Sequence, residues 1–143
     1  MFRHGRRLFS IASMLLILTA AAHTLGHFQP QPQTPEYINL KSTMEAYQFD
    51  LGMGMKPSVR DVLESLSLTM SVTLLLLGLQ NLLIAMADES GKMVRRFAFV
   101  NIIGVGALAT LYWVYRLPPP LISFVIVEVV FLLAVLVPDR KQA

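Results

Sequence analysis

The sequence predicts an all-α membrane protein: a four-helix transmembrane bundle with a short amphipathic helix in its first outer loop. Of its 143 residues, 55% are hydrophobic and only 15% are charged, and the mean hydropathy is +0.58. Soluble domains usually carry about 25% charged residues, so this composition argues against a soluble enzyme and against a disordered tail. Four apolar stretches reach or approach the roughly 20 residues that a helix needs to cross a bilayer.

The four stretches form a single transmembrane domain that covers residues 1–143. The predicted spans are residues 8–28, 62–87, 97–117 and 119–137, and residues 29–57 form an outer loop. In lipid a segment must satisfy its own backbone hydrogen bonds, so spans of this length are helices. The chain has no cysteine, which excludes a disulfide framework, a thiolate metal site and the membrane thiol oxidoreductases.

The first span has an alternative interpretation as a signal peptide. Arg6 and Arg7 would be its charged start, and Ala20–Ala22 fits a cleavage site for small residues. Cleavage there would leave three spans. We favour an uncleaved span, because Leu25 and Phe28 continue the apolar run.

The outer loop contains signals for one short helix. Thr34 is a candidate cap, with Pro35 at the first helical position and Glu36 behind it. The apolar residues that follow at spacings of three and four are Tyr37, Leu40, Met44, Tyr47 and Leu51. We expect this amphipathic helix to end at Gly52 and Gly54 and to lie on the bundle or in the outer interface.

The second span alternates hydroxyl and apolar residues over 65–73, a period that would suggest a strand. Its length and the capping box from Ser58 to Asp61 favour a helix instead. On that helix the polar and small residues form two stripes, one of Asp61, Ser65, Thr69, Thr73 and Gln80 and the other of Glu64, Ser67, Ser71, Gly78 and Asn81. Such residues mark helix contacts in membranes, so we expect neighbours on both sides.

The basic residues predict the orientation of the spans. The connections that we assign to one side of the membrane hold Arg3, Arg6, Arg7, Lys92, Arg95, Arg96, Arg140 and Lys141. The positive-inside rule therefore predicts that both termini are cytoplasmic. At the opposite side, Pro118–Pro120 allow only a short turn, which makes the last two spans antiparallel neighbours.

His23 and His27 are the candidate metal ligands. Their spacing of four residues places both imidazoles on one helix face. Copper or zinc would need further ligands, for which the candidates are Asp61, Glu64, Glu36 and the thioethers of Met44, Met53 and Met55. Methionine beside histidine suits Cu(I), and carboxylate beside histidine suits zinc. The alternative is a structural role for the histidines, and dipole compensation for the two acids at the helix start.

Three polar residues lie inside the spans. Glu128 is near the middle of the fourth apolar run, where an ionisable group is a functional candidate by default. We expect it either to bond a threonine of a neighbouring helix or to handle a proton or ligand. Asn81 and Asn101 lie at similar depths, and we expect them to bond across the second and third spans as structural residues.

His23-Thr24-Leu25-Gly26 closes the first span, and Met44, Phe49-Asp50, the glycines, Ser58 and Asp61 come before the second. In these residues the chain resembles a family of small, uncharacterised bacterial integral membrane proteins with four helices. The resemblance implies a four-helix fold in a bacterial inner membrane, with His23 and Asp61 as marked polar positions, and implies no activity. Ala22 and Ser65 stand where the family often has glycine, so close helix packing at the outer end is not implied for this chain.

Three function classes follow. The first is a non-enzymatic membrane component, either an accessory subunit of a larger membrane complex or a homo-oligomer. The second is a site for a metal or small ligand at the outer face, built from His23, His27, Asp61 and Glu64. The third is proton-coupled transport through Glu128. An enzyme is the least supported class, because no nucleophile-and-base pair or catalytic motif is visible, and no basic stretch with aromatics suggests nucleic acid.

Overall fold

The protein is described from a computed structural model, which covers residues 3–137. These residues form five α-helices: α1 (Arg3–His27), α2 (Pro35–Ala46), α3 (Val59–Ala87), α4 (Lys92–Val114) and α5 (Pro118–Leu136). Four of them, all except α2, are long and apolar enough to cross a membrane. Arg140 and Lys141, two of the charges used to predict the orientation, lie outside the described residues.

The helices extend beyond the apolar runs that predict them. α1 begins at Arg3 and α4 at Lys92, in both cases before the apolar run itself. Arginine, lysine and methionine are good helix formers, so the helix continues through residues that hydrocarbon would not accept. Hydropathy therefore marks only the part of each helix that fits a bilayer.

The helix in the outer loop is shorter than its apolar pattern predicts. Thr34 caps it as expected, accepting a hydrogen bond from the Tyr37 amide. It ends at Ala46, however, and the prediction that it continues to Leu51 is wrong. None of its residues is buried.

A small hairpin replaces the end of the predicted helix. The Phe49 amide donates to the Pro57 carbonyl over 2.9 Å, and the Val59 amide donates to the Tyr47 carbonyl over 3.0 Å. The hairpin turns at Gly52 and Gly54, whose φ values of 77° and 78° favour glycine. Backbone groups that would have bonded along the helix are thereby satisfied across the turn.

α3 begins at the capping box that the sequence predicts. The Ser58 hydroxyl accepts from the Asp61 amide over 3.1 Å, while an Asp61 carboxylate oxygen accepts from the Ser58 amide over 2.8 Å. The two residues satisfy each other's backbone donors, which is the function of a capping box. The alternating hydroxyl residues that follow are thus helical.

The structure divides into two compact units. The first contains the described residues of Met1–Thr19 and Leu74–Ala143, and the second contains Ala20–Thr73. The core of the first unit is a set of apolar side chains from four helices: Phe9, Ala12, Leu16, Leu74, Ala85, Val94, Ala98, Val105, Ala109, Phe124, Val127, Phe131 and Ala134. Phe9 of α1 and Phe131 of α5 meet there, with ring centroids 5.6 Å apart.

Small and polar residues join the helices of the first unit. A Cβ on Gly78 of α3 would lie 2.6 Å from the side chain of Ile17 and 2.9 Å from the Ser13 carbonyl, so only glycine allows α1 this close. Asn81 of α3 and Asn101 of α4 exchange amide hydrogen bonds of 3.0 and 3.2 Å, and both are buried. Close approach and buried polar pairs are the main attractions between helices in lipid.

α4 and α5 are packed neighbours joined by a short turn. The Arg116 amide donates to the Trp113 carbonyl, and the Leu117 amide donates to the Tyr112 carbonyl. This pair of bonds is a Schellman motif, in which Arg116 takes the left-handed position at φ 55°. Beyond the turn, the rings of Tyr112 and Phe124 stack with centroids 5.5 Å apart.

Asp88 organises the turn between α3 and α4. One carboxylate oxygen accepts from the Val94 amide over 2.9 Å, and the other accepts from the Ser90 and Gly91 amides and the Ser90 hydroxyl. Arg6 of α1 donates to the Asp88 carbonyl over 3.3 Å, which ties the start of α1 to this turn. These bonds hold the pKa of Asp88 below its ordinary value, the bond from the Val94 amide most of all.

Replacing one asparagine of the buried pair should cost more than half of the unfolding free energy that replacing both of them costs. Asn81→Leu removes both hydrogen bonds that Asn101 exchanges with Asn81 and leaves the Asn101 amide its bond to the Phe97 carbonyl. We expect a loss of about 1–2 kcal/mol of unfolding free energy. Asn81→Leu/Asn101→Leu should cost less than the sum of the single variants. Unfolding in detergent measures both, with Gln80→Leu at an exposed position as control. Strict additivity of the two single effects would contradict a coupled pair.

The turn at Asp88 should make the protein sensitive to acid. Because the folded pKa of Asp88 is lowered, its stabilising contribution is complete above the ordinary carboxyl pKa of about 3.9 and is lost as the pH falls through the folded value. Asp88→Asn should lower the thermal midpoint at neutral pH and flatten its decline in acid. The matched control is Glu89→Gln, at the exposed neighbouring residue. An acid decline of unchanged steepness in Asp88→Asn would count against this assignment.

Candidate functional site

The two histidines predicted as metal ligands share one serine of α3. His23 Nε2 lies 3.2 Å from the Ser67 hydroxyl, and His27 Nδ1 lies 3.2 Å from the same oxygen. A hydroxyl has one proton to donate and two lone pairs, so it can bridge both rings. The spacing of four residues does place both imidazoles on one face of α1, and that face is turned to Ser67.

The acids proposed to complete a metal site have other partners. Asp61 accepts from both the amide and the hydroxyl of Ser58, and Glu64 accepts from Arg60 Nε over 2.6 Å. Within residues 3–137, no three His, Asp or Glu side chains are grouped so that they could hold a metal ion. The copper or zinc site therefore stays a prediction, with the two imidazoles brought together at Ser67.

Arg60 links the outer helix to α3. Its guanidinium pairs with Glu64 one turn along α3 and also with Glu45 of α2, which in turn lies 4.0 Å from Lys41. Exposed ion pairs contribute little singly, but a network that joins two elements also fixes their geometry. Sequence reasoning missed Arg60 as a connector, although its spacing of four residues from Glu64 was a visible signal.

An open cleft of about 480 Å³ lies beside these groups, within the second unit. Its volume is in the range of small-ligand pockets. Polar, charged and aromatic side chains line it: His27, Phe28, Gln29, Gln31, Tyr37, Met44, Arg60, Leu63, Glu64 and Ser67. Of the four residues predicted to form an outer-face site, His27 and Glu64 line this cleft, whereas His23 and Asp61 do not.

Glu128 lies on the contact between α4 and α5. Its Oε1 is 2.8 Å from the point that a Cβ on Gly106 would occupy, so the carboxyl rests where α4 has no side chain. The residue is half-buried, and none of its carboxyl oxygens has a hydrogen bond to a residue within 3–137. Glu128 is therefore a carboxyl without a hydrogen-bond partner among residues 3–137, on a helix whose other polar residue is Ser123.

The threonines expected to bond Glu128 are engaged elsewhere. Thr19, Thr73 and Thr110 each donate to the backbone carbonyl four residues earlier in their own helix. The prediction that Glu128 ties two helices together through a threonine is thus wrong for the described chain. Back-bonding of this kind is the ordinary alternative for a helical threonine.

Only one of the two polar stripes of α3 meets neighbours. Ser67 contacts the histidines, Gly78 meets α1, and Asn81 bonds Asn101. The residues of the other stripe are all exposed: Asp61, Ser65, Thr69, Thr73 and Gln80. The expectation of neighbours on both sides of α3 is therefore wrong within residues 3–137.

The chain matches no protein-family model, no curated protein and no solved structure. The resemblance to a family of small bacterial membrane proteins accordingly stays a prediction. What the protein does must be argued from its own residues.

Ser67, the serine shared by the two histidines, should contribute more to stability than the nearby Ser65. Ser67→Ala removes the hydroxyl from both His23 and His27, and we expect it to cost about 1 kcal/mol of unfolding free energy. The control is Ser65→Ala, because the Ser65 hydroxyl bonds only the Val62 carbonyl of its own helix. Thermal unfolding in detergent measures the difference. Equal midpoints for the two variants would show that the shared hydroxyl contributes nothing.

Proposed function

We propose that the protein is a four-span integral membrane protein that acts as a non-enzymatic component of a larger helical assembly. The observation that carries this proposal is Glu128, a half-buried carboxyl without a hydrogen-bond partner in residues 3–137, on a helix apolar enough to cross a membrane. An unpaired carboxyl in a membrane-spanning segment is costly. A helix from a second copy or another subunit would supply the missing partner.

The exposed polar stripe of α3 supports the same proposal. Ser65, Thr69 and Thr73 are all exposed on a helix apolar enough to cross a membrane. Small and hydroxyl residues let helix backbones approach closely in lipid. Two helices of this chain thus present polar groups whose chemistry suits helix–helix contact.

Much of the surface of the four long apolar helices is not buried within the chain and is therefore open to partners. In the most apolar window of each spanning helix, only 22–28% of the residues are buried. The remainder must be covered by lipid or by other helices. In an assembly, other helices would cover part of that surface and lipid would cover the rest.

The proposed orientation has both termini in the cytoplasm. Arg6 and Arg7 begin α1, and Lys92, Arg95 and Arg96 begin α4. The bond from Arg6 to the Asp88 carbonyl brings these two groups to one end of the first unit. The positive-inside rule assigns that end to the cytoplasm, and the family resemblance would make the membrane a bacterial inner membrane.

Removing the carboxyl of Glu128 should weaken assembly. We expect Glu128→Leu to lower the association constant about fivefold, equivalent to losing one interhelical hydrogen bond. Glu128→Gln should preserve association, since an amide can still bond a partner. Counting subunits by single-molecule photobleaching of the full chain in lipid vesicles measures this, with Ile126→Leu at an exposed apolar position as control.

Two results would overturn the assembly proposal. The first is a wild-type chain that stays monomeric in vesicles and co-purifies with no other membrane protein from native membranes. The second is association that Glu128→Leu leaves unchanged. Proton-coupled transport through Glu128 stays a prediction.

A second candidate function is small-ligand binding at the outer cleft. The specific observation is the meeting of Arg60, Glu64, His27 and Tyr37 around one open volume of about 480 Å³. Opposite charges beside an aromatic ring suit a small polar ligand with both an acidic and a basic group. A thermal-shift screen of free amino acids against wild type and Tyr37→Ala tests it, and the absence of any shift specific to the wild type would end it.

A further inference from the structure

The start of α4 carries a groove that combines exposed cations with an apolar floor. We name it the basic groove and define it by its lining residues: Lys92, Arg95, Arg96, Phe99, Val100 and Val135. Its volume is about 720 Å³. All of these residues belong to the first unit, with Val135 from α5 and the others from α4.

Within the described residues, the three cations of the basic groove have no ion-pair partner. Lys92, Arg95 and Arg96 are exposed, and none forms an ion pair within residues 3–137. By contrast, Arg60 pairs with two glutamates. Two acids precede the cations in the turn. Asp88 has its carboxylate committed to the amides at the start of α4 and to Ser90, and Glu89 is exposed.

Along α4, the residues that line the basic groove change from charged to apolar. Lys92, Arg95, Arg96, Phe99 and Val100 follow intervals that share one face of a helix. From Lys92 to Val100 the helix rises about 12 Å. The cations come first, and the exposed apolar side chains Phe99 and Val100 follow. The distance from the charged to the apolar residues is roughly the length of a phospholipid headgroup and the start of its acyl chain.

We propose that the basic groove binds an anionic phospholipid of the surrounding bilayer. Arg95 and Arg96 hold the headgroup phosphate, for which a guanidinium offers paired donors. Lys92 adds a point charge, and an acyl chain lies along Phe99, Val100 and Val135. The proposal rests on the four-span placement and is independent of association through Glu128.

The chemistry of the groove favours a lipid over other anionic partners. A nucleic acid or an acidic soluble protein would use the cations but would have no use for an apolar floor that lies deeper along a spanning helix. Basic pockets between membrane helices are known to suit such headgroups. The comparable groove at Arg6 and Arg7 is the weaker candidate, because Arg6 already donates to the Asp88 carbonyl.

Native mass spectrometry of the full chain tests the proposal by counting retained lipids. Wild type should retain phosphatidylglycerol at least about tenfold more tightly than phosphatidylcholine. Arg95→Gln/Arg96→Gln should weaken phosphatidylglycerol retention about 30-fold, at roughly a factor of five per cation. The control Lys41→Gln/Lys56→Gln removes the same charge from residues outside the groove and should change retention less than twofold.

A second measurement uses only wild type, in case the arginine variant does not insert. Phosphatidylglycerol with a photoreactive acyl chain should crosslink to peptides that contain Phe99, Val100 or Val135. Crosslinks spread evenly over the spanning helices would overturn the proposal. Equal retention of the two lipids, or equal losses in the arginine and lysine variants, would also overturn it.

Discussion

A long apolar helix satisfies its own backbone hydrogen bonds. The rest of this structure therefore depends on which groups cover the side chains of each helix. In lipid no hydrophobic force draws helices together, and contact has to come from close packing and buried polar pairs. The first unit has both: Gly78 admits Ile17 to the backbone of α3, and Asn81 exchanges hydrogen bonds with Asn101. The aromatic contact of Phe9 with Phe131 joins α1 to α5. These few contacts leave most of each spanning helix uncovered.

Local hydrogen bonds from particular residues determine the turns between the helices. The sequence requirements of these turns are therefore more specific than those of the apolar helices. Asp88 satisfies amides at the start of α4 that have no partner within the helix. Ser58 and Asp61 do the same at the start of α3. At the turn after α4, the Schellman motif accommodates Arg116 in a conformation that usually selects glycine. Each connection thus satisfies backbone groups that the adjoining helices leave open.

The polar groups left over after folding determine what the protein can contact. Glu128 and the exposed stripe of α3 are suited to further helices, whereas the cations of the basic groove are suited to lipid phosphate. In the second unit, charged and aromatic side chains surround the cleft of about 480 Å³, a volume of ligand size. These features differ in chemistry, so assembly, lipid binding and ligand binding can be separated by substitution at different residues.

Hydropathy, length and caps were sufficient to predict the helical class, the four helices that are long and apolar enough to cross a membrane, and the start of α3, because these depend on residues near one another in the chain. The pattern of Tyr37 to Leu51 misled, because a hairpin to Pro57 and Val59 competes with the helix after Ala46. Tertiary packing alone decided that one stripe of α3 is covered and the other is not, and that Glu128 rests on Gly106 while Thr19, Thr73 and Thr110 bond their own helices. A sequence shows that a polar side chain lies in an apolar run, but its partner depends on which helix packs beside it and at what rotation. The amino-acid sequence by itself thus determined where the helices lie along the chain, and the tertiary structure decided which of their few polar groups remain unpaired.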